Sequence, residues 1–427
     1  TASRLRVLHR KIAEAMEKMY PGPPEEALAE LGRHFFLGKV PEKSFRYNHE
    51  AAGLALSAEN PEAALHHLER ARIDLTALPS PPTEAAAELA LELGNLYFSA
   101  GELRTAEEVY REGLARLSDK DLKLRGRLLL ARADVVLEEA EISVADETIR
   151  EAHDLFNRTG DLQGIAAVHR IRGRVALRRG AFREALEETM MALQLLQNDP
   201  DASLSGRLYL DVAATFASLG PAPREEARVW LQRGVDKLST IADWSDIARG
   251  YTRMADIVAE RSPKEALDHL AKARDYAGRV RELRWTARAW LKEVPIRLAI
   301  GDLPEAEHDN QQADRLLERI DDPYGQVLLR MNRAFLAEER HKPSLAEEEY
   351  RQAIECADRS GFHGESAECH VRLAQLLQSR GETLSAREHL REAEKAGVDS
   401  LRPTWAQRLQ TLSRETELPP PTPTTAG

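Results

Sequence analysis

Apolar residues along this chain recur three and four places apart, the spacing of one face of a helix. Ala90 to Ala100 carries Leu93 and Tyr97, and Glu102 to Leu117 carries Val109, Tyr110, Leu114 and Leu117, with Gly101 between the two segments. A second pattern runs over the first. Ten times a small residue stands seven places after another. The leading residues are Ser44, Ala64, Ala106, Ala145, Ala185, Ala227, Ala266, Ala306, Ala346 and Ala386. From Ala64 onward they step by 42, 39, 40, 42, 39, 40, 40 and 40 residues. A period of this length marks a solenoid, in which each unit buries its apolar face only against its neighbours. Each unit reads as two helices of about 15–18 residues, giving about 21 helices and no sheet in an all-α chain.

The turns support that division. Gly101, Gly180, Gly301 and Gly381 fall five places before the leading residue, where a first helix must stop in a left-handed conformation. Pro61, Pro263 and Pro343 fall three places before it, where a helix begins and a missing N–H costs nothing. Asn60 and Ser262 stand ahead of two of these prolines as expected N-caps. Pro221-Ala222-Pro223 accounts for one of the longer steps. Twelve places before a leading residue stand Gly32, Gly94, Ala133, Gly173, Ala334 and Ala374, small enough for the two helices of a pair to approach closely. Residues 1–80 read as an irregular N-terminal helical region, with helices near Ser3–Tyr20, Pro24–Leu37 and Glu42–Ala58, the last shared between two pairs. Residues 81–400 read as eight regular pairs. Residues 401–418 form a capping helix with Trp405, Leu409 and Leu412 on one side, and 419–427 a proline- and threonine-rich extended tail.

Composition fits narrow apolar stripes flanked by wet faces: 42% of the 427 residues are hydrophobic, 31% charged and 5% aromatic. The net charge of -11 argues against nucleic acid as the main partner, since phosphate binding needs a basic face. Cys356 and Cys369 match no zinc or redox spacing, and so few cysteines point to a cytoplasmic, reducing compartment. No apolar run approaches the roughly 20 residues that span a bilayer, so no membrane partner is expected. The chain lacks an initiator Met and a signal peptide, and reads as a piece of something longer.

Leu93-Gly94-x-x-Tyr97, then Ala106, Tyr110 and Gly113, resembles a tetratricopeptide repeat (TPR), lengthened from 34 residues to about 40 as in repeats of the bacterial maltose-regulator type. The resemblance implies a TPR-like right-handed superhelical solenoid. A narrower resemblance lies in Leu8-His-Arg-Lys-Ile-Ala-Glu-Ala-Met16, Leu31-Gly-Arg-His34 and Val40-Pro-Glu-Lys-Ser-Phe-Arg-Tyr47. It is similar to the junction after the ATPase in bacterial signalling proteins that join a protein kinase or adenylate cyclase to a STAND-type ATPase and a repeat tail. That resemblance implies an interaction scaffold, the sensor or docking tail of such a protein, with its ATPase and kinase or cyclase domains upstream in the parent chain. The alternative is a ligand- or peptide-sensing repeat domain of a transcription activator. No Walker lysine loop, kinase catalytic loop or cyclase carboxylate motif occurs in the chain, so no enzyme activity and no cofactor are expected of it.

First helices of such pairs line the concave face, and residues fifteen, eleven and seven places before the leading one should point into it. For Ala185 these are Arg170, Arg174 and Arg178, a row of guanidiniums suited to an acidic peptide or a phosphate group. In the preceding pair the same places hold Leu130, Asp134 and Glu138, so Asp134–Arg174 and Glu138–Arg178 read equally as ion pairs between repeats. Arg170 then has no internal partner in sight. Asn95 and Phe98 are inner-face candidates one repeat earlier; Arg253, Asp256 and Phe335 are further candidates on the far half. The partner expected there is a protein or peptide, and an acidic one fits the arginine row. His67, His269 and His389 each follow a leading residue by three; they recur once per repeat or further apart, not at ligand spacing, so no metal is expected.

Overall fold

A computed structural model describes residues 2–19, 25–79, 81–100, 102–118, 120–138, 142–179, 181–196, 202–218, 224–259, 261–397 and 403–417. Among these residues there are 21 helices and no strand. They run α1 (Ala2–Met19), α2 (Glu25–Leu37), α3 (Pro41–Ser57), α4 (Pro61–Ala77), α5 (Thr83–Ala100), α6 (Leu103–Arg116), α7 (Leu122–Glu138), α8 (Ile142–Thr159), α9 (Leu162–Arg178), α10 (Phe182–Leu195) and α11 (Ala202–Ser218). Then follow α12 (Arg224–Ser239), α13 (Trp244–Val258), α14 (Pro263–Arg279), α15 (Leu283–Ala299), α16 (Leu303–Leu317), α17 (Pro323–Glu339), α18 (Pro343–Arg359), α19 (His363–Ser379), α20 (Thr383–Gly397) and α21 (Pro403–Glu417).

The small residues sit where the pattern places them. All ten leading residues are completely buried. Their partners seven places on are buried as well, Gly113 and Gly234 included. Each faces the close crossing of two helices, where a larger side chain would hold them apart. The residue twelve places before the leading one meets the residue four places after it. A Cβ on Gly94 would lie 2.2 Å from Cε1 of Tyr110, and one on Gly173 2.8 Å from Cγ2 of Thr189. The hydrophobic core is accordingly a succession of clusters, each shared by adjacent pairs. Leu409 and Leu412 of α21 join the last of them.

Gly301 and Gly381 turn at φ of 81°. Gly101, Gly180, Pro221 to Pro223 and the 419–427 tail lie outside the described residues. Prolines 61, 263 and 343 open α4, α14 and α18. The Asn60 side chain accepts from the N–H of Ala63 at 3.1 Å, whereas Ser262 holds the N-cap position without a side-chain bond.

First helices touch one another in sequence, from α5–α7 through α7–α9, α9–α11, α11–α13 and α13–α15 to α15–α17, and so form the crowded inner wall. The winding is tight enough for one part of the superhelix to meet another. Nε1 of Trp244 donates to Glu59 at 2.9 Å, Arg281 pairs with Glu62 at 3.2 Å, and Arg104 with Asp321 at 3.4 Å. The Arg284 guanidinium lies 4.5 Å over the Phe98 ring. Residues about 200 positions apart thus meet across the concave inner face of the solenoid, its lumen.

Candidate functional site

The lumen is walled by charge. Along α9, α11 and α13, charged residues stand four apart, on one helix face: Arg170 and Arg174, Arg207 and Asp211, Arg249 and Arg253. Asp134 of α7 receives both Arg170, at 3.2 Å, and Arg174. Arg170 reaches onward to Asp211 at 3.1 Å, and Arg253 binds the other oxygen of that carboxylate. A second tier is parallel to the first. Arg207 pairs with Asp243 at 3.1 Å and with Asp246, which also holds Arg249. Beyond it, Arg288 of α15 pairs with Asp322, the N-cap of α17, at 2.6 Å.

Most of these groups are buried, and a buried charge persists only where paired and hydrogen-bonded. Burial pushes the Asp211 carboxyl up, but Arg253, Arg170, Arg174 and Arg249 outweigh it and hold it below its ordinary range. Asp246 is held down in the same way by Arg207, Arg249 and Arg170. Asp246 in turn holds Arg207 above its ordinary value. Three groups depart in the other direction, Asp243 among them, pushed up by burial and by Asp246 against Arg207. Burial, with Arg174 and Arg249 adding to it against Asp211, brings Arg253 down to about 10. Burial pushes Glu282, at the start of α15, up to about 7, with Arg284 and Ser245 only partly offsetting it. Neither Glu282 oxygen accepts a well-formed hydrogen bond from the described residues. Arg207 keeps 40% of its side-chain surface open and Arg253 25%, so both reach the solvent of the lumen.

Of the residues singled out from sequence, Arg174 meets Asp134 as expected. Arg170 corrects the expectation: it is buried and bridges two carboxylates, because Asp211 approaches from the next first helix, 41 positions on. Arg178 belongs to α9, but its side chain and that of Glu138 lie outside the described residues. Asn95 is exposed and accepts from the Tyr110 hydroxyl at 2.7 Å; Phe98 is half-buried beneath Arg284. Arg253 joins the network, while Asp256, its side chain 47% open, takes Lys292 at 2.7 Å. Phe335 is also corrected. It is buried against Tyr350 with Arg372 stacked over it at 3.9 Å, because its row in that repeat faces the second helix of the pair. Sequence reasoning missed Arg207, Asp211 and Arg249, which stand twenty, sixteen and seventeen places before their leading residues, outside the expected rows. Their four-residue charge spacing, repeated on successive first helices, was the available signal. No group of three or more His, Cys, Asp or Glu among the described residues is placed to hold a metal, and no described helix is long and apolar enough to cross a membrane.

No protein-family model matches the chain, and no characterised protein matches it in sequence. Its fold is shared with solved structures. At 16% identity and a TM-score of 0.54, 67% of the chain matches 76% of the Rap conjugation gene regulator of plasmid pLS20, solved with the Phr* peptide. At 16% identity and a TM-score of 0.51, 78% matches 99% of a Rap protein complexed with competence and sporulation factor. A STAND protein with a tetratricopeptide repeat sensor, from Pyrococcus horikoshii, matches 82% of the chain over 52% of its own length at 13% identity and a TM-score of 0.42. The chain is a TPR-like helical repeat domain.

Proposed function

We propose that this chain is a protein–protein interaction module that recognises a protein or peptide partner through its lumen, as the docking or sensor tail of a multidomain signalling ATPase. The observation that carries the reading is the two-tier ionic wall on the first helices. A repeat array needs only small and apolar residues at its crossings. A concave face lined with arginines and carboxylates, two of the arginines open to solvent, is polar specificity beyond what folding requires. The fold supports it, since a regulator with this superhelix holds a peptide. The junction-like segments of α1 to α3 support the ATPase context, and peptide sensing in a transcription activator is the alternative that the same regulator favours.

The test is affinity capture from the source organism with the wild type and an Arg207→Glu/Arg253→Glu variant. The reading expects a captured protein or peptide that the variant loses while its circular dichroism stays helical. Equal capture by both proteins would remove the lumen from the account. A parent reading frame without an upstream ATPase would remove the signalling context alone.

A further inference from the structure

Among its described residues, this ionic network holds more arginines than carboxyls. Arg170, Arg174, Arg207, Arg249, Arg253 and Arg284 face Asp134, Asp211, Asp243, Asp246 and Glu282, and Glu282, pushed up to about 7, is half protonated near neutrality. This surplus sits inside a chain whose net charge is -11. The aspartates are all engaged: Asp134 is shared by Arg170 and Arg174, Asp211 is 2% exposed and shared by Arg170 and Arg253, Asp243 takes Arg207, and Asp246 is shared by Arg207 and Arg249. Arg253 is the member with capacity left. Among the described residues its Nη1 donates to Asp211, and 25% of its side-chain surface stays open. A planar guanidinium with one edge occupied presents its second edge as a two-pronged donor, the shape that fits a carboxylate or phosphate. Arg207 stands one helical turn before Asp211 and keeps the largest open surface of the set.

Resting on the lumen reading above, we infer that the free edge of Arg253, with Arg207 beside it, is a seat for one anionic group, a carboxylate or phosphate, carried by the partner. Arg170 and Arg174, buried and bridged, hold the seat in place. The group supplies the negative charge the network lacks, and the concave wall shields the contact from water, so the ion pair is worth more there than on an open surface.

The experiment is calorimetric titration of the full chain at low salt with two probes: inorganic phosphate, and a tetraglutamate peptide with a free C-terminus. Four proteins are compared: wild type, Arg253→Gln, Arg253→Lys and, as a control outside the lumen, Arg359→Gln. Expected is saturable binding to the wild type and the control, a loss of about tenfold or more in Arg253→Gln, and an intermediate value in Arg253→Lys, which keeps the charge but not the fork. Phosphate alone binding would assign the seat to a small phosphorylated group, and the peptide alone to a protein's carboxylate. Should Arg253→Gln fail to fold, Arg253→Lys decides. Affinity unchanged by that substitution, or no binding of either probe, overturns the seat. Failure here with lumen-dependent capture intact leaves the interaction reading standing; equal capture by wild type and the Arg207→Glu/Arg253→Glu variant, with anion binding intact, does the reverse.

Discussion

At Glu282 a carboxyl has been taken out of water with Arg284 and Ser245 only partly offsetting the loss of hydration, and its proton is correspondingly held up to about 7. A carboxyl raised this way binds more protons in the folded than in the unfolded chain between about pH 4.5 and 7. Its ionised form therefore destabilises the fold above that window, and stability returns as pH falls through it. Glu282→Gln is expected to raise stability by about 1–3 kcal/mol at pH 8, with the gain vanishing toward pH 5. Chemical denaturation at the two pH values checks this, and a gain independent of pH would contradict it. His389 works the other way. Burial, with His370 and Arg351 adding to it, brings it down to about 4, so its contribution is lost as pH falls below about 6.5. The small residues are the plainest residue-scale features. Ala192 is completely buried at a helix crossing, and Ala192→Leu should cost about 1–3 kcal/mol by overpacking, read as a lowered midpoint of urea unfolding. That position was legible in sequence because a crossing admits only small side chains, and the period repeats the constraint. The outlet of Arg170 was not. Its partner Asp211 lies one repeat further on, and which rows of successive helices converge depends on a superhelical pitch that no single helix encodes.

Turns between helices show the same division between what local chemistry dictates and what assembly adds. Gly301 and Gly381 reach positive φ without strain, and sequence marks them. Lys39, Glu59 and His341 at equivalent turns, and Ala242 and Arg281 at turns between pairs, adopt φ of 53–55° with no glycine to announce it. The hydrogen bond from the N–H of Glu282 to the carbonyl of Ala277, at 2.9 Å, closes the same helix-ending turn that the N–H of Asp302 and the carbonyl of Arg297 close at 2.9 Å. Two of the strained residues explain themselves at the next scale. Glu59 accepts from Trp244 and Arg281 pairs with Glu62. A side chain is retained where glycine would relax the backbone, because that side chain bridges the superhelix. Helix starts follow local rules more closely. Asn60 caps α4, and Asn60→Ala should destabilise by about 1 kcal/mol in thermal melts, whereas Ser262→Ala should change little because Ser262 makes no cap bond.

For the whole molecule, the period fixes the solenoid and its inner wall, while the meeting across the lumen rests on long-range contacts that are polar and mostly exposed. Arg281 and Glu62 are 76% and 78% open, and Arg104 and Asp321 79% and 51%. Such pairs contribute about 0–1 kcal/mol each and weaken with salt. Raising salt to about 1 M shortens the Debye length to about 3 Å, and the superhelix should then loosen and its lumen widen. Small-angle scattering should record a larger radius of gyration at high salt, and the Arg281→Gly/Arg104→Gly double variant should show it already at low salt. A radius unchanged in both would mean that core packing alone sets the pitch. The central claim, that recognition takes place on the charged inner wall, is tested most directly by hydrogen exchange of the chain with and without its captured partner. The account predicts new protection on the inner helices α9, α11 and α13, with α10, α12 and α14 unchanged. Protection confined to those second helices, on the convex side, would contradict it.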